Sequence, residues 1–251
     1  MRYHLDTIPV WDAVKLEGEC PLCALRRHNE LVDVERFLGA SVMEPDTRVQ
    51  VNAQGFCPRH QVLLYGQKNR LGHALMMHTH LKETIQSLTP VLKEAKSGGR
   101  KGGLFARKSR EGDPLAAAAQ KIRALTGTCI LCRSIEENTR RYAYTLLHLY
   151  KTDDAFRRAF AASRGVCLPD MALLMDMARQ ELTGETLDSF IADLCAAVEK
   201  SLAKLEGDLE GFTLKFDYRN ADKPWGDSRG SLERTVNKLR GWCLGEEPWP
   251  Q

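Results

Sequence analysis

The chain has 251 residues, a formal net charge of +3 and a hydrophobic fraction of 43%, which are ordinary values for a globular protein. This length allows one large or two small domains, and so small a charge favours neither nucleic acid nor a membrane surface as a partner. The first twenty residues do not resemble a secretory signal, and no later run is long and apolar enough to span a bilayer. We therefore expect a cytoplasmic protein, in which paired cysteines are metal ligands or redox thiols rather than disulfides.

In chain order, the first predicted element is a short extended segment from Tyr3 to Trp11. Helices are then predicted to start at Cys20 and at Cys57. In each case a proline follows, Pro21 and Pro58, and proline is well tolerated as the first residue of a helix. Both cysteines are therefore expected near helix N-termini.

Further along, four stretches have the apolar spacing of an amphipathic helix. They are Leu71, Leu75, His78, Leu81, Ile85 and Leu88, ending or kinking near Pro90; Ile135, Tyr142, Leu146 and Leu149; Met171, Leu174, Met175, Ala178 and Leu182, before Gly184; and Leu187, Phe190, Ile191, Leu194, Val198, Leu202 and Leu205, before Gly207. The last predicted elements are an extended segment over Phe212, Leu214, Phe216 and Tyr218, and a helix at about Ser231 to Arg240. The predicted fold class is all-α, a helical bundle with short extended segments at the N-terminus and in the C-terminal tail.

One cysteine pattern occurs twice in the chain. The pair Cys20-Pro-Leu-Cys23 is followed after 33 residues by Cys57-Pro-Arg-His60, and Cys129-Ile-Leu-Cys132 is followed after 34 residues by Cys167-Leu-Pro-Asp170. Six of the eight cysteines therefore occupy matching places. An internal duplication is the simplest explanation.

The duplication predicts two metal-binding helical units in succession. The first covers residues 1–95 and the second residues 115–210, and a C-terminal extended segment and helix follow over 211–251. Between the units, residues 96–114 are rich in Gly, Lys and Arg and have no periodicity, which is typical of a flexible linker. Its basic residues could touch nucleic acid, but no aromatic platform accompanies them, so a solvated tether is the favoured interpretation.

Each predicted unit has the side chains to hold one metal ion. The expected first site is Cys20, Cys23, Cys57 and His60, and the expected second site is Cys129, Cys132, Cys167 and Asp170. Three cysteines and a histidine are a complete ligand set for tetrahedral structural zinc, and the helix N-termini favour the thiolate form. At the second site three alternatives stay open: Asp170 is a ligand, it caps a helix while water completes the coordination, or the site is empty.

Other chemistries use the same residue types. An open position at the second site would permit a metal-dependent, hydrolase-like enzyme, although no general base is identifiable nearby in sequence. An iron–sulfur cluster remains an alternative to zinc, whereas thiol redox catalysis is disfavoured because the βαβ context of a redox Cys-x-x-Cys is missing.

Three histidines follow the first motif closely. His78 lies on the predicted apolar face of its helix, while His73 and His80 share another face and could bind a ligand. Hydrogen-bonded structural histidines are the commoner outcome. An enzyme would need a cleft in which Asp170, His73, His80 or the tail residues Tyr218 and Arg219 converge.

Several segments together resemble a bacterial family known only as domain of unknown function 6062. They are YHLDTIPVW, CPLC, SVMEPDTRVQVN, GFCPRH, QKNRLGHALMMHTH and FDYRN, and the resemblance covers nearly the whole chain. It implies a repeated, Cys-rich helical protein and brings no established activity. The second motif usually ends in histidine in that family, so Asp170 is a departure.

The resulting hypothesis is a cytoplasmic helical protein with two structural metal sites, both expected to hold zinc. It would act as an interaction or regulatory module toward an unidentified protein partner. Neither a nucleic-acid nor a membrane partner is expected, and an enzyme is the less favoured alternative.

Overall fold

The structure, a computed structural model, describes residues 6–16, 18–98, 113–220 and 222–241. These ranges contain eleven α-helices and no β-strand, which confirms the all-α class. The helices are α1 (Thr7–Lys15), α2 (Pro21–Leu38), α3 (Pro45–Gln54), α4 (Pro58–Gly66), α5 (Arg70–Gly98), α6 (Pro114–Thr126), α7 (Ile130–Thr152), α8 (Asp154–Ala162), α9 (Leu168–Glu181), α10 (Gly184–Leu214) and α11 (Ser231–Arg240). Short 3-10 turns cover Ala40–Met43, Tyr218–Asn220 and Gly226–Ser228.

The two predicted extended segments are wrong wherever the structure describes them. From Thr7 the first segment is α1, whose buried residues Val10, Ala13 and Val14 recur at helical spacing; its residues 3–5 lie outside the described ranges. The second segment begins inside α10 and ends in a turn. There the Phe212 ring contacts that of Phe216, with 5.5 Å between centroids, so residues four apart meet on one side, as in a helix.

The predicted helix end at Gly207 is wrong, and of the two alternatives at Pro90 the helix end is wrong while the kink stays a prediction. Helix α10 continues through Gly207, and α5 continues through Pro90 to Gly98. A glycine inside a helix costs only about 1 kcal/mol relative to alanine, which the burial of Phe190, Leu194, Val198 and Leu205 along α10 offsets. The predicted final helix at Ser231–Arg240 is present as α11.

Helix α5 buries a different face from the predicted one. Leu71, Leu81 and Ile85 are exposed, and His78 is exposed with them. The buried positions of α5 are Gly72, Met76 and Val91. Periodicity identified an apolar stripe correctly but could not show which side of the helix faces the core, because small and flexible residues such as Gly72 and Met76 permit closer packing.

The described residues divide into two compact units. The discontinuous unit combines Met1–Asn29 with Ile135–Glu247, and the inserted unit is Glu30–Ser134. The units thus interleave along the sequence, whereas the cysteine pattern predicts consecutive units over 1–95 and 115–210. The central part of the predicted linker, residues 99–112, lies outside the described residues.

Each unit has its own apolar core. In the discontinuous unit four aromatic side chains are fully buried, namely Tyr150, Phe156, Phe160 and Phe190. The Tyr150 and Phe190 rings meet edge to face, with 5.0 Å between centroids. In the inserted unit the core contains Phe37, Phe56, Leu64 and Met76 among others. Burial of this apolar surface is the main stabilising contribution in both units.

Candidate metal centres

The eight predicted ligands form two clusters, but the predicted grouping is wrong. The Cys₃His cluster consists of Cys57, His60, Cys129 and Cys132, and the Cys₃Asp cluster consists of Cys20, Cys23, Cys167 and Asp170. Within each cluster the four donor atoms lie within 4.8 Å of one another. Each Cys-x-x-Cys pair therefore lies beside the Cys-x-x-His or Cys-x-x-Asp pair from the other copy of the pattern. Each cluster lies within one compact unit.

In the inserted unit, two hydrogen bonds explain why the Cys129 pair lies beside Cys57 and His60. The backbone N–H of Ile130 donates to the carbonyl of Gly55 at 3.1 Å, and the Thr128 hydroxyl donates to the carbonyl of Gln54 at 2.8 Å. These bonds place the start of α7 beside the chain that leads into Cys57. Motif spacing cannot reveal this contact, because chain segments of 33 and 34 residues are long enough to allow either grouping.

The Cys₃His donors surround a single point. The Nδ1 atom of His60 lies 3.2 Å from the sulfurs of Cys57 and Cys129 and 3.4 Å from that of Cys132. The sulfurs of Cys57 and Cys132 are 3.7 Å apart. Four donors at such separations can share one ion.

A carboxylate holds the histidine of this cluster in position. The second ring nitrogen of His60, Nε2, lies 3.1 Å from Glu30. Arg59 donates two hydrogen bonds to Glu30, each of 2.7 Å. Burial tends to raise the pKa of Glu30, but hydrogen bonds from Arg59 and His60 outweigh burial and lower it to about 2. A charged Glu30 fixes the ring so that Nδ1 faces the sulfurs, as carboxylates do for metal-binding histidines.

The Cys₃Asp donors are equally close. The Oδ2 atom of Asp170 lies 3.2 Å from the sulfurs of Cys20 and Cys167 and 3.5 Å from that of Cys23. The Cys23 and Cys167 sulfurs are 3.6 Å apart. All four residues are buried, whereas Cys132 of the other cluster is exposed. The first alternative for Asp170, ligation, is compatible with this geometry, since Oδ2 lies within 3.5 Å of all three sulfurs.

Arg26 occupies the other side of the Asp170 carboxylate. Its Nη2 donates to Oδ1 at 2.6 Å, and its Nη1 lies 3.3 Å from both Oδ2 and the Cys23 sulfur. Burial and the Cys20 thiolate raise the pKa of Asp170, while the guanidinium acts in the opposite direction. Arg26 thus places a cation beside the carboxylate, which would offset part of the negative charge of the cluster if a metal ion were bound. Nothing in the motif spacing singled it out.

Lys238 of α11 is a buried cation in this unit that the sequence did not predict. Its side chain is fully buried, and Nζ donates to the carbonyls of Glu19 at 2.8 Å and Arg164 at 2.6 Å. A longer contact of 3.4 Å reaches the Val166 carbonyl. Burial lowers the pKa of Lys238, and the nearby Glu19 charge partly opposes this effect. Since Glu19 precedes Cys20 and Val166 precedes Cys167, the ammonium joins the two segments that carry the ligands.

The Cys57–His60 and Cys167–Asp170 motifs begin with nearly the same backbone conformation. Cys57 has φ −70° and ψ 164°, and Cys167 has φ −69° and ψ 161°. Gly55 and Gly165, two residues earlier, both have positive φ, at 59° and 69°, a region in which glycine is favoured. Each cysteine is the N-cap of its helix. An internal duplication of the whole pattern stays a prediction.

The other candidate residues have separate roles. His73 bonds Gln61, with 2.7 Å between Nε2 and Oε1, and His80 bonds the Asn52 carbonyl at 2.9 Å. Tyr218 is 87% exposed. Arg219 pairs with its neighbour in sequence, Asp217. None of these contacts involves a residue of either cluster.

Comparison with known proteins identifies the family of this chain but does not identify an activity. No curated protein and no solved structure matches the chain. None of the helices in the described ranges has the length and apolar character needed to cross a membrane. The profile of a family of unknown function, DUF6062, matches residues 1–246. The chain therefore belongs to DUF6062, a family whose function is unknown.

Proposed function

We propose that each cluster holds one zinc ion in a structural role. The observation that carries this proposal is the convergence of four donor atoms to within 4.8 Å in both clusters. Thiolate, imidazole and carboxylate are the ligands of protein zinc. No disulfide competes for these cysteines, since all six are free.

The distances within the clusters support zinc over an iron–sulfur cluster. Around a tetrahedral zinc ion with Zn–S bonds of 2.3 Å, sulfurs are about 3.8 Å apart. The observed sulfur separations of 3.7 Å and 3.6 Å agree with this geometry. A cluster of several irons would interpose its own core and hold the cysteine sulfurs further apart.

The complete ligand sets support a structural rather than a catalytic role. Catalytic zinc has three protein ligands and leaves one position to water or substrate. In the Cys₃Asp cluster the fourth position would be filled by Oδ2 of Asp170, which is 2% exposed. A hydrolase would need that carboxylate to leave, and Arg26 holds it in place.

Each ion would join segments that are distant in the chain. The contacts of the Cys₃Asp cluster link residues up to 150 positions apart, and those of the Cys₃His cluster link residues up to 75 apart. Closing loops of this size costs conformational entropy, which metal–ligand bonds offset. Metal binding would therefore contribute directly to the stability of both units.

In wider terms, we propose that the zinc-stabilised protein is a cytoplasmic interaction or regulatory module. A reducing compartment keeps cysteines available as ligands. His73, His80, Tyr218 and Arg219, the residues that an enzyme would use, are engaged elsewhere or exposed, which supports a binding role over catalysis.

Metal analysis of the purified protein tests the zinc proposal. We expect about two zinc ions per chain, no stoichiometric iron and no visible colour. Cys57→Ser and Cys167→Ser should each lose about one ion. Cys195→Ser is the matched control, because Cys195 belongs to neither cluster and its replacement should leave both ions. Absence of metal from the native protein, or iron in place of zinc, would overturn the proposal.

A further inference from the structure

An apolar stripe runs along the exposed side of the α5–α6 pair. These consecutive helices of the inserted unit pack against each other. On α5 the exposed fractions are 55% for Leu81, 54% for Ile85 and 46% for Leu92; on α6 they are 54% for Leu115 and 37% for Ile122. We call these five residues the apolar stripe.

Helical spacing places the stripe residues of each helix on one side of that helix. Positions 81, 85 and 92 are four and seven residues apart and share one side of α5. On α6, Leu115 and Ile122 lie three residues before and four residues after the buried Ala118, so they share its face. Both side chains are therefore exposed on the side of α6 that carries Ala118, and α6 packs against α5.

The charges of the two helices are unevenly distributed around this stripe. Together α5 and α6 contain six Lys or Arg and two Glu. Glu83 and Glu94 each follow a stripe leucine by two residues and therefore lie about 200° around the helix from it. Glu94 is paired with Lys121 at 3.2 Å, which places that pair on the opposite face.

The charged residues of α5 that lie on the same side of the helix as the apolar stripe are all cations. Lys96 follows Leu92 by four residues, about 40° around the helix, and Lys82 and Lys93 lie about 100° from their preceding leucines. On α6, Arg123 follows Ile122 directly. The stripe is thus bordered by positive charge from these two helices.

From this arrangement we propose that the apolar stripe binds an amphipathic helix of a partner protein, with apolar residues against the stripe and acidic residues on both flanks. In this mode a helix docks by its apolar face, and side chains at i, i+3, i+4 and i+7 provide the anchors. Acidic flanks would meet Lys82, Lys93, Lys96 and Arg123 and favour the correct partner.

Charge and composition distinguish this occupant from others. A second copy of the stripe would bring the same lysines together, which is unfavourable. Neither α5 nor α6 contains an aromatic residue, whereas membrane-surface helices and single-stranded nucleic-acid platforms commonly use them. Duplex nucleic acid would engage the cations but would leave the apolar stripe exposed.

This inference specifies the partner of the interaction role proposed above and does not depend on the zinc proposal. Its probes are two fluorescein-labelled helical peptides of about three heptads. Both have leucine on one face; the acidic peptide has glutamate on the flanks and the basic peptide has lysine. Binding to the full chain is measured by anisotropy, with metal content determined on the same samples, so failure of either proposal is seen separately.

The acidic peptide is expected to bind at least about tenfold more tightly than the basic peptide. Leu81→Asp and Ile85→Asp should each weaken binding of the acidic peptide by about tenfold or more. Val49→Asp on α3 is the matched control, since Val49 is also an exposed aliphatic residue, and it should bind like the native protein. Combined replacement of Lys82, Lys93 and Lys96 by Glu should reverse the preference between the peptides.

Four outcomes would overturn the proposal. The first is no binding of the acidic peptide, and the second is equal binding of both peptides. The third is binding of phosphatidylserine vesicles or duplex DNA that is lost in Ile85→Asp while peptides do not bind. The fourth is a native dimer in analytical ultracentrifugation that Ile85→Asp converts to a monomer, since a second copy would then be the occupant.

Discussion

Arg26 and Asp170 form an ion pair in which the two carboxylate oxygens have different partners. Oδ1 accepts a 2.6 Å hydrogen bond from Arg26, while Oδ2 lies within 3.5 Å of three cysteine sulfurs. With the proposed zinc ion bound, three thiolates, a carboxylate and Zn²⁺ would carry a net charge of about −2, which the guanidinium would reduce to about −1. Three thiolates, a neutral histidine and Zn²⁺ at the Cys₃His cluster would carry the same net charge of about −1. Arg26 would therefore compensate for the negative charge of the Asp170 carboxylate.

The first prediction follows from this compensation. Arg26→Met should lower zinc affinity at the Cys₃Asp cluster by about tenfold to a hundredfold, because partners of a metal ligand typically contribute this much. Competition with a coloured chelator measures the affinity. Arg140→Met is the control, since Arg140 is a largely exposed residue paired with Glu136 on its own helix. Unchanged affinity in Arg26→Met would show that the charge is balanced in another way.

A second prediction concerns Glu30 and the other cluster. Glu30→Gln keeps the shape of the side chain but removes the charge that orients His60 through Nε2. Zinc affinity at the Cys₃His cluster should fall by about tenfold or more, while the Cys₃Asp cluster should keep its ion. Chelator competition on Cys167→Ser and Glu30→Gln/Cys167→Ser, which both lack the Cys₃Asp site, isolates the effect. Glu136→Gln on an exposed face is expected to change neither site.

Sequence reasoning succeeded where the information is local. The starts of α2 and α4 follow from Pro21 and Pro58, each of which comes directly after a cysteine, and the eight ligand-type residues follow from motif identity. The grouping of those residues was missed because it depends on contacts such as Ile130 with Gly55, which join distant parts of the chain.

The buried face of α5 and the role of Lys238 were missed for a related physical reason. The stripe on α5 has the spacing of a core face, yet the unit buries Met76 and leaves Ile85 exposed. Lysine is expected on a surface, and only the position of α11 brings three backbone carbonyls to Nζ of Lys238. Periodicity and residue type describe one helix at a time and contain no information about such neighbours.

The third prediction tests this buried lysine. Lys238→Met fills similar space but leaves the carbonyls of Glu19 and Arg164 without their donor. The free energy of unfolding should fall by roughly 2 to 4 kcal/mol, as expected for unpaired buried polar groups. Urea unfolding of the zinc-loaded protein measures the change. Lys200→Met, at an exposed position of α10, should have little effect, and equal stability of the two variants would contradict the assigned role.

The fourth prediction rests on the difference in exposure between the clusters. Cys132 of the Cys₃His cluster is exposed, whereas all four residues of the Cys₃Asp cluster are buried. A chelator must reach an ion before it can remove it, and burial requires local opening, which slows release. Zinc should therefore leave in two phases of similar amplitude, with the fast phase from the Cys₃His cluster. Cys57→Ser should abolish the fast phase and Cys167→Ser the slow one, and stopped-flow absorbance with an excess of chelator follows both. If Cys57→Ser instead removed the slow phase, the exposure of Cys132 would not control metal exchange.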